Sequence, residues 1–411
     1  MNKEFELLAP AGDLEKLKYA LIYGADAVYI GGQIFGLRAS AKNFSIEDME
    51  EGIRFAHEMG KKVYVTLNII PHNDDLEELP EYLEKLNKIK VDAVILSDPG
   101  TLMYVQEYAP DLEVHLSTQA NNTNYMSAKF WYNQGVSRIV VARELSFKEI
   151  VQVKKNIPED LELEGFIHGA MCISYSGRCL LSNYMANRDA NRGECAHPCR
   201  WNYYLVEEKR PGEYIKITED EKGTYFFNSK DLCMIEHIPE LLNCGLYSLK
   251  IEGRMKSIYY VANTVRVYRK AIDEYIKDPE NYKFNPEWIE ELSKVSHRKF
   301  TSGFYLNKPN EDDQLYSTSS YIREYDFLGV VLDYDRESGM ALVEQRNRMF
   351  KGDEIEIIGP DYKGFKQKIE KLLNDKNEEI DVAPHAQQKI KIHMDNPVEK
   401  YYILRRKRED D

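Results

Sequence analysis

Four cysteines crowd one short segment of this chain, and thiols at that density can hold a metal centre. Cys172, Cys179, Cys195 and Cys199 form the pattern C-x6-C-x15-C-x3-C. Small and turn-forming residues surround them, so the backbone there can fold around a compact centre. Thiolates bind zinc and the iron of iron–sulfur clusters. The spacing alone leaves zinc, an iron–sulfur cluster, disulfides and free thiols as alternatives.

The N-terminal sequence and the apolar runs indicate the compartment. The first ten residues, MNKEFELLAP, lack the basic and apolar regions of a secretory leader, and no apolar run approaches the ~20 residues of a membrane span. We therefore expect a cytoplasmic protein with no membrane contact. Structural disulfides are disfavoured in that reducing compartment, which favours a metal or cluster on the four cysteines.

Length and charge set broad limits on the fold and the partners. With 411 residues, 43% of them hydrophobic, the chain is long enough for two or three domains of about 150 residues, or fewer if one is a barrel. The formal net charge of -14 argues against a broadly basic surface for nucleic acid. A local basic site remains compatible with that value, because net charge averages over the whole surface.

Eight short, β-rich apolar runs alternate with amphipathic helical patterns in the first part of the chain. That order is expected of repeated βα units. It predicts an α/β fold, a (β/α)8 barrel of the TIM type, with an open doubly wound sheet as the alternative. The predicted strands are residues 5–9, 27–30, 62–67, 93–96, 113–116, 138–142, 161–167 and 247–251.

Polar side chains follow most of these strands, where a barrel has its active face. The candidates for catalysis are His168, Glu252 and Gln119, and those for substrate binding are Arg38, Asn68, Arg143, Glu144, Lys250, Arg254 and Arg178. A guanidinium binds a carboxylate or phosphate through two parallel N–H groups, so several arginines at one mouth favour a dianionic ligand. His168 and Glu252 are candidate general bases by position. As an alternative, each of these residues could be a helix cap or an exposed loop residue without a role in function. Arg143 and Glu144 could likewise form an ion pair that stabilises the rim.

Three segments are predicted along the chain. The barrel spans residues 1–257 and carries a cysteine-rich insertion at 170–230 between its last two strands, which places the four cysteines at the active face. A helical connector, 258–320, packs on the barrel, and short strands predict a small C-terminal β-barrel over 321–411. Cys233 and Cys244 are predicted on a helix, DLCMIEHIPELLNCG, as buried small hydrophobic residues.

Residues 164–182, EGFIHGAMCISYSGRCLLS, resemble the signature of the collagenase-like peptidase family of unknown catalytic type, family thirty-two. Every specified position of E-x-F-x2-G-[SA]-[LIVM]-C-x4-G-x-C-x-[LIVM]-S is filled. Similarity continues in LLAPAG, in YIGG followed by LRASAKNF, in SLKIEGRMKS and in HRKFTSGFY. The resemblance therefore covers nearly the whole chain, including the C-terminal β module.

The resemblance implies a function that the family's name does not state. Members similar in length and domain order are tRNA hydroxylation proteins, which install 5-hydroxyuridine at the wobble position. For this chain it implies a 4Fe-4S cluster on the four cysteines, prephenate as hydroxyl donor in place of oxygen, the tRNA anticodon loop as partner and, in some relatives, a second subunit of the same family. Hydroxylation of ribosomal RNA or ubiquinone, peptidase activity and a cluster-bearing scaffold without turnover remain as alternatives.

The metal content of protein purified without oxygen tests the cysteine prediction. We expect about four irons and matching sulfide per chain, lost in Cys172→Ala, because each thiolate of such a cluster is a ligand. Cys244→Ala, which removes a cysteine outside the pattern, is the control and should keep the iron. One zinc and no iron would reduce the four cysteines to a structural site.

Overall fold

The structure is a computed structural model. It describes residues 5–35, 43–172, 174, 179, 181–186, 188, 195–196, 198, 205–206, 214–215, 218–220, 223–225, 230–306, 321–362 and 364–408. Three of the predicted site residues, Arg38, Arg178 and Cys199, lie outside the described residues. Their roles stay predictions.

Eight parallel strands close into a barrel with helices around it, as the sequence predicts. The barrel part comprises β1 (Glu6–Pro10), α1 (Leu14–Ile22), β2 (Ala27–Gly31), α2 (Ile46–Glu58), β3 (Lys62–Leu67), α3 (Asn73–Leu76), α4 (Leu79–Lys88), β4 (Ala93–Leu96), α5 (Pro99–Tyr108), β5 (Glu113–Leu116), α6 (Tyr125–Asn133), β6 (Arg138–Val140), α7 (Phe147–Lys155) and β7 (Glu162–Ala170). The insertion carries α8 (Leu181–Ala186), β8 (Leu205–Val206), β9 (Tyr214–Ile215), β10 (Thr218–Asp220) and β11 (Gly223–Tyr225). Then follow β12 (Asp231–Cys233), α9 (Ile238–Asn243) and β13 (Ser248–Ile251), the eighth barrel strand. Parallel pairing of β13 with both β1 and β7 closes the barrel.

Local sequence fixes where the helices begin and end. Asp13 and Ser146 cap α1 and α7 by accepting hydrogen bonds from backbone N–H groups three residues on, and Glu149 completes a capping box with Ser146. Gly24 follows α1 with a φ of +111°, a conformation that a side chain would strain. These signals alternate along the chain with the apolar strands and so set the βα order.

A network of paired charges fills the lower part of the barrel. The Arg138 guanidinium on β6 lies 2.6 Å from the Glu6 carboxylate on β1 and 3.4 Å from the Glu164 carboxylate on β7. Lys250 Nζ on β13 lies 2.7 Å from Glu164, and the Tyr64 hydroxyl on β3 donates to Glu6. The contacts of Glu6 with Arg138 and with Tyr64 join strands that are not neighbours in the sheet, so these side chains point into the barrel.

Burial makes this pairing obligatory. Glu164 has no exposed surface, and Arg138 is 2% exposed. Burial alone would raise the pKa of Glu164, but the positive charges of Lys250 and Arg138 outweigh it and lower that pKa. Glu164 is therefore held ionised inside the barrel, and an unpaired charge at this depth would be costly.

Strand β7 is longer than predicted and changes its register at a bulge. Lys250 pairs with Phe166, whereas the next residue, Ile251, pairs with His168, so two residues of β7 stand opposite one of β13. Past the bulge, β12 adds antiparallel to β7. Cys233 thus lies on a strand, and its predicted helical position is wrong. The predicted burial of Cys233 and Cys244 is confirmed.

The rest of the chain packs against one side of the barrel. It comprises α10 (Ile258–Lys277), α11 (Glu287–Ser293), β14 (Phe300–Thr301), β15 (Tyr325–Asp335), β16 (Met340–Gln345), β17 (Met349–Phe350), β18 (Glu354–Ile358), β19 (Gly364–Lys368), β20 (Leu372–Leu373), β21 (Val382–Ala383), β22 (Lys389–His393) and β23 (Ile403–Lys407). Seven of these strands form an antiparallel half-barrel in the order β19-β18-β23-β15-β16-β22-β20. None of the described helices is both long and apolar enough to cross a bilayer.

A buried arginine joins the half-barrel to the connector helices. Arg405 on β23 lies 2.8 Å from Glu291 on α11 and 2.7 Å from Glu356 on β18. Burial alone would raise the pKa of Glu291, but Arg405 and Arg266 lower it to about 2. The half-barrel is thus anchored by an ionised pair with little access to water.

Loss of the barrel charge network should destabilise the fold. Arg138→Met leaves Glu6 and Glu164 buried without their shared cation, and we expect the free energy of unfolding to fall by about 3–5 kcal/mol in urea titrations. Arg269→Met removes two more exposed pairs, with Asp26 and Asp273, and each should cost about 0.2–1 kcal/mol. Equal losses in the two variants would contradict the account of the interior.

Candidate functional site

The candidate site lies at the mouth of the barrel, where the carboxyl ends of the strands meet. Glu252 follows β13 at this end and is half-buried. The hydroxyl of Tyr29, on β2, lies 3.1 Å from Glu252 Oε2 and 3.0 Å from the carbonyl oxygen of Ile251, and donates to one of them at a time. A carboxylate is thereby held over the open end of the barrel.

An aromatic ring lies between Arg143, a cation at this mouth, and Lys250, a cation of the barrel interior. The Arg143 guanidinium, after β6, stacks 4.0 Å from the centre of the Phe166 ring, and its Nη1 donates to the carbonyl oxygen of Ala170. Lys250 Nζ lies 5.5 Å from that ring and 4.5 Å from the Tyr29 ring. Cation–π contacts of this kind hold positive charge at the site without neutralising it. Arg143 is therefore placed to bind an anion.

A second arginine is fitted into the opposite side of the mouth. Arg254 is 4% exposed, and its Nη1 donates to Thr66 Oγ1 over 2.9 Å. Gly31, at the end of β2, leaves the space for it, because a Cβ there would lie 2.3 Å from Nη1. The Arg254 side chain therefore has a fixed orientation, because the Thr66 hydroxyl on β3 accepts its hydrogen bond and Gly31 on β2 leaves room for its guanidinium.

The backbone of Glu252 is held as firmly as its side chain. Its N–H donates to the carbonyl of His168, and its carbonyl accepts from the Tyr260 hydroxyl on α10. Gly169 has a φ of +112°, and a Cβ there would meet the Glu252 carbonyl at 2.6 Å. Only glycine permits this approach between β7 and the segment after β13.

Several polar atoms at the rim are buried without a hydrogen-bond partner in the part of the chain that the structure describes. They include Oδ1 of Asn68 after β3, Oδ1 of Asn121, both amide atoms of Asn122 after β5, and Nε of Arg143 after β6. An unsatisfied buried polar atom costs about 1–3 kcal/mol, so native folds keep few of them without a purpose. Their clustering at the mouth is typical of a site that receives a polar ligand or ordered water.

Other polar residues that follow the strands are placed as follows. Asp98, after β4, caps α5 by accepting from the backbone N–H of Thr101. The Thr118 hydroxyl donates to the carbonyl of Val141, and Gln119 is buried beside it in a short 3-10 turn. Glu144 is half-buried on the rim. Lys250 points into the barrel toward Glu164, so the structure ties it to the interior network rather than to the open rim.

The structure places His168 away from the mouth, against its prediction as a general base. The bulge in β7 turns its ring outward, where it packs on Tyr260, Tyr268 and Phe300 and is 1% exposed. Burial, with the nearby positive charge of Lys256, lowers its pKa to about 3. A ring held neutral and sealed from the mouth is not positioned to take a proton from a ligand there.

The cysteine segment begins at the end of β7, beside Arg143. Cys172 is exposed, and Cys179 and Cys195 are half-buried. The Ala196 N–H donates to Ser182 Oγ over 2.9 Å, which brings the chain around Cys195 next to the helix that follows Cys179. No three metal-binding side chains converge among the residues described, which omit Cys199. Soft thiol donors at this position fit a zinc or iron–sulfur site.

Four residues of the site carried no role in the sequence prediction. Tyr29 and Thr66 are inward-facing strand positions. Gly31 and Phe166 appear in the sequence analysis only as members of segments that resemble the family. The alternation of β2 and β3 was the available signal, because Tyr29, Gly31 and Thr66 occupy the inward positions nearest the mouth. Which of them touch an arginine follows only from the closed barrel.

Comparisons with known proteins agree with this architecture. The family model described as Peptidase family U32 matches residues 12–315, and the one described as Peptidase family U32 C-terminal domain matches residues 323–405. The "tRNA hydroxylation protein P1" of Bacillus subtilis (strain 168) is 45% identical over 99% of this chain and 96% of its own length. The "tRNA hydroxylation protein P" of Escherichia coli (strain K12) is 39% identical over 92% and 91%. A "Collagenase" of Porphyromonas gingivalis is 33% identical over 90% of each chain.

Burial of neutral His168 predicts a pH dependence of stability. Between pH 6.5 and about 3 the unfolded chain binds a proton that folded His168 refuses, so the free energy of unfolding falls as pH falls, by about 1.4 kcal/mol per unit. His168→Asn should remove this part of the slope in urea titrations from pH 7 to 4. His385→Asn, which replaces an exposed ring, should keep it. An unchanged slope in His168→Asn would show that the ring is accessible to protons.

Proposed function

Because the chain belongs to peptidase family U32, we propose that it is a tRNA-modifying enzyme that converts the wobble uridine to 5-hydroxyuridine without oxygen, with prephenate as the hydroxyl donor. One observation carries the proposal. Two arginines, Arg143 and Arg254, are fixed at the mouth of the barrel next to the start of the cysteine segment. The names of the relatives that match nearly the whole chain support the tRNA substrate.

The arginines fit a small dicarboxylate. Prephenate carries two carboxylates, and guanidinium binds a carboxylate through a planar fork. Arg143 keeps a buried Nε that has no partner in the described part of the chain, and its ring contact leaves the guanidinium charge unneutralised. Arg143 and Arg254 come from opposite sides of the mouth, so together they would orient a molecule with an anionic group at either end.

The four cysteines are proposed to hold a 4Fe-4S cluster, with zinc as the less favoured metal. Cys172, Cys179, Cys195 and Cys199 would supply the thiolate ligands, and such a cluster provides one-electron transfer when bound. The residues of this chain would keep it beside the mouth, because Arg143 donates to the carbonyl of Ala170, two residues before Cys172. The proposed function requires only that the cluster lie beside the barrel mouth.

The uridine would reach the mouth from a loop in which it is already unstacked. A base inside a helix must be extruded at a cost of a few kcal/mol, which the anticodon loop avoids. Cations around the insertion, such as Arg178 and the exposed Arg188, would contact phosphates despite the acidic total. A second subunit of the same family remains a proposed partner.

The chain's own groups at the mouth match the needs of the reaction. Hydroxylation exchanges a C5–H bond of uracil for C5–OH while the C–OH bond of the donor becomes C–H, so the base loses two electrons and the donor gains them. Glu252 is the carboxylate placed to hold the proton exchanged at C5. Asn68 and Gln119 would offer amide groups to the polar edges of the bound molecules.

A peptidase is the second candidate, since one matching relative is named collagenase. A thiol protease needs a histidine base within hydrogen-bond reach of its cysteine. His168 is sealed among aromatic rings and is not available for that role. The geometry of the described residues therefore favours the hydroxylase.

Nucleoside analysis of tRNA tests the proposal. In a bacterial strain that lacks its own relatives of this family, the wild-type chain should restore 5-hydroxyuridine, and a block in prephenate synthesis should abolish it. Arg143→Lys and Arg254→Lys should lower the product about 10-fold, because lysine cannot form the planar fork. Arg54→Lys, on the exposed face of α2, is the matched control.

Two results would contradict the proposed reaction. One is a wild-type level of 5-hydroxyuridine in the tRNA of the strain that cannot make prephenate. The other is unmodified tRNA together with cleavage of gelatin by the purified protein, which would support the peptidase.

A further inference from the structure

A chain of contacts runs from the interior charges of the barrel to the mouth carboxylate. Glu164 binds Lys250 Nζ at 2.7 Å, and Lys250 lies 4.5 Å from the centre of the Tyr29 ring. The Tyr29 hydroxyl then lies 3.1 Å from Glu252 Oε2. Each member comes from a different strand or loop, so the order exists only in the folded barrel.

Tyr29 is well placed to fix the direction of Glu252. Its ring is 5% exposed and packs in a small core with Leu8, Tyr64 and Ile95, which leaves it little freedom. A cation over the ring face draws electron density from it and makes the phenol a better donor. A donor held in this way stabilises the ionised carboxylate and keeps one of its oxygens turned toward β2.

We infer that Tyr29 is a positioning residue, which orients the Glu252 carboxylate at the mouth and is itself held by Lys250. The inference deepens the proposed function, because it concerns the group proposed to take the proton. Tyr29 does not need to touch the substrate. Its effect passes through Glu252, so it should change turnover and its pH dependence more than substrate binding.

The surroundings of Glu252 define what else acts on its charge. The titratable and charged groups from the elements packed against it are Tyr29 on β2, His168 on β7, Tyr260 on α10, and Lys250, Arg254 and Lys256 in its own segment. Of these, His168 contributes its carbonyl and Tyr260 binds the backbone carbonyl. The Tyr29 hydroxyl lies within hydrogen-bond distance of the carboxylate, so that hydroxyl is the group to remove.

Tyr64 provides a matched control. It is also an inward-facing tyrosine on a neighbouring strand, and its hydroxyl also donates to a glutamate, Glu6, but at the lower end of the barrel. Tyr29→Phe and Tyr64→Phe each remove one buried hydroxyl that donates to a carboxylate. They differ in whether that carboxylate lies at the mouth.

The test follows the Glu252 carboxyl by carbon-13 NMR in holoprotein labelled at glutamate carboxyls, with the resonance identified by its absence in Glu252→Gln. In Tyr29→Phe the titration midpoint should rise by about 0.5–1 pH unit, because the ionised form loses a donor. In Tyr64→Phe it should stay at the wild-type value. A ring-fluorinated tyrosine at position 29, which is a stronger donor and keeps the shape, should move the midpoint downward.

Turnover gives a second readout. Tyr29→Phe should lower kcat for tRNA hydroxylation about 10- to 100-fold, leave KM within about 2-fold and move the acid limb of the pH profile upward. A midpoint that stays at the wild-type value in both position-29 variants overturns the inference even if tRNA is hydroxylated. If the wild type hydroxylates no RNA, the proposed function fails, and the titration still decides whether Tyr29 positions Glu252.

Discussion

The pairing of charges inside the barrel is the constraint on which the rest of the structure depends. Arg138 joins β6 to β1 and β7, and Lys250 joins β13 to β7, so strands distant in sequence are locked by groups that cannot be left unpaired. A closed barrel is the arrangement that brings all of these strands around one centre. Closure in turn puts the segments after β6 and β13 at one mouth, so that Arg143 and Glu252 lie on the same end of the barrel.

The residues of the segment that resembles the family signature have identifiable structural roles in this fold. Glu164 pairs with Lys250 in the interior, and Phe166 lies between Lys250 and Arg143, the cation at the mouth. Gly169 allows β7 to pass close to the carbonyl of Glu252. The segment then continues into the cysteines. One stretch of sequence therefore links the interior charges, the rim that carries Arg143 and the proposed cluster, which explains why these residue types occur together.

The sequence predicted the fold well because its signals are local. Three of the eight barrel strands, at 62–67, 93–96 and 113–116, have the bounds that apolar runs between turns indicated. His168 and Cys233 show where such reasoning fails. A bulge in β7 reverses the alternation of side chains, and added pairing past the barrel edge turns a predicted helix into a strand. Neither the bulge nor the added strand pairing can be recognised from the residue pattern of one segment alone.

The candidate site was predicted in part for a similar reason. Arg143, Glu252 and Arg254 lie at the mouth because residues after strands must do so in a barrel. Their supports, Tyr29, Gly31 and Thr66, come from strands remote in sequence and could not be matched to them. Interior charges were missed as well, because Glu6 and Arg138 interrupt strands that pattern reading treats as apolar.

The proposed reaction transfers a hydroxyl group from a dicarboxylate donor to uridine in tRNA at the barrel mouth. The most direct measurement is an oxygen-free reaction of the reconstituted protein with unmodified tRNA and prephenate whose ring hydroxyl carries heavy oxygen, followed by mass spectrometry of the nucleosides. We expect 5-hydroxyuridine that carries the heavy isotope, at the wobble position. Light 5-hydroxyuridine formed from solvent, or no product with intact cluster and donor, would contradict it.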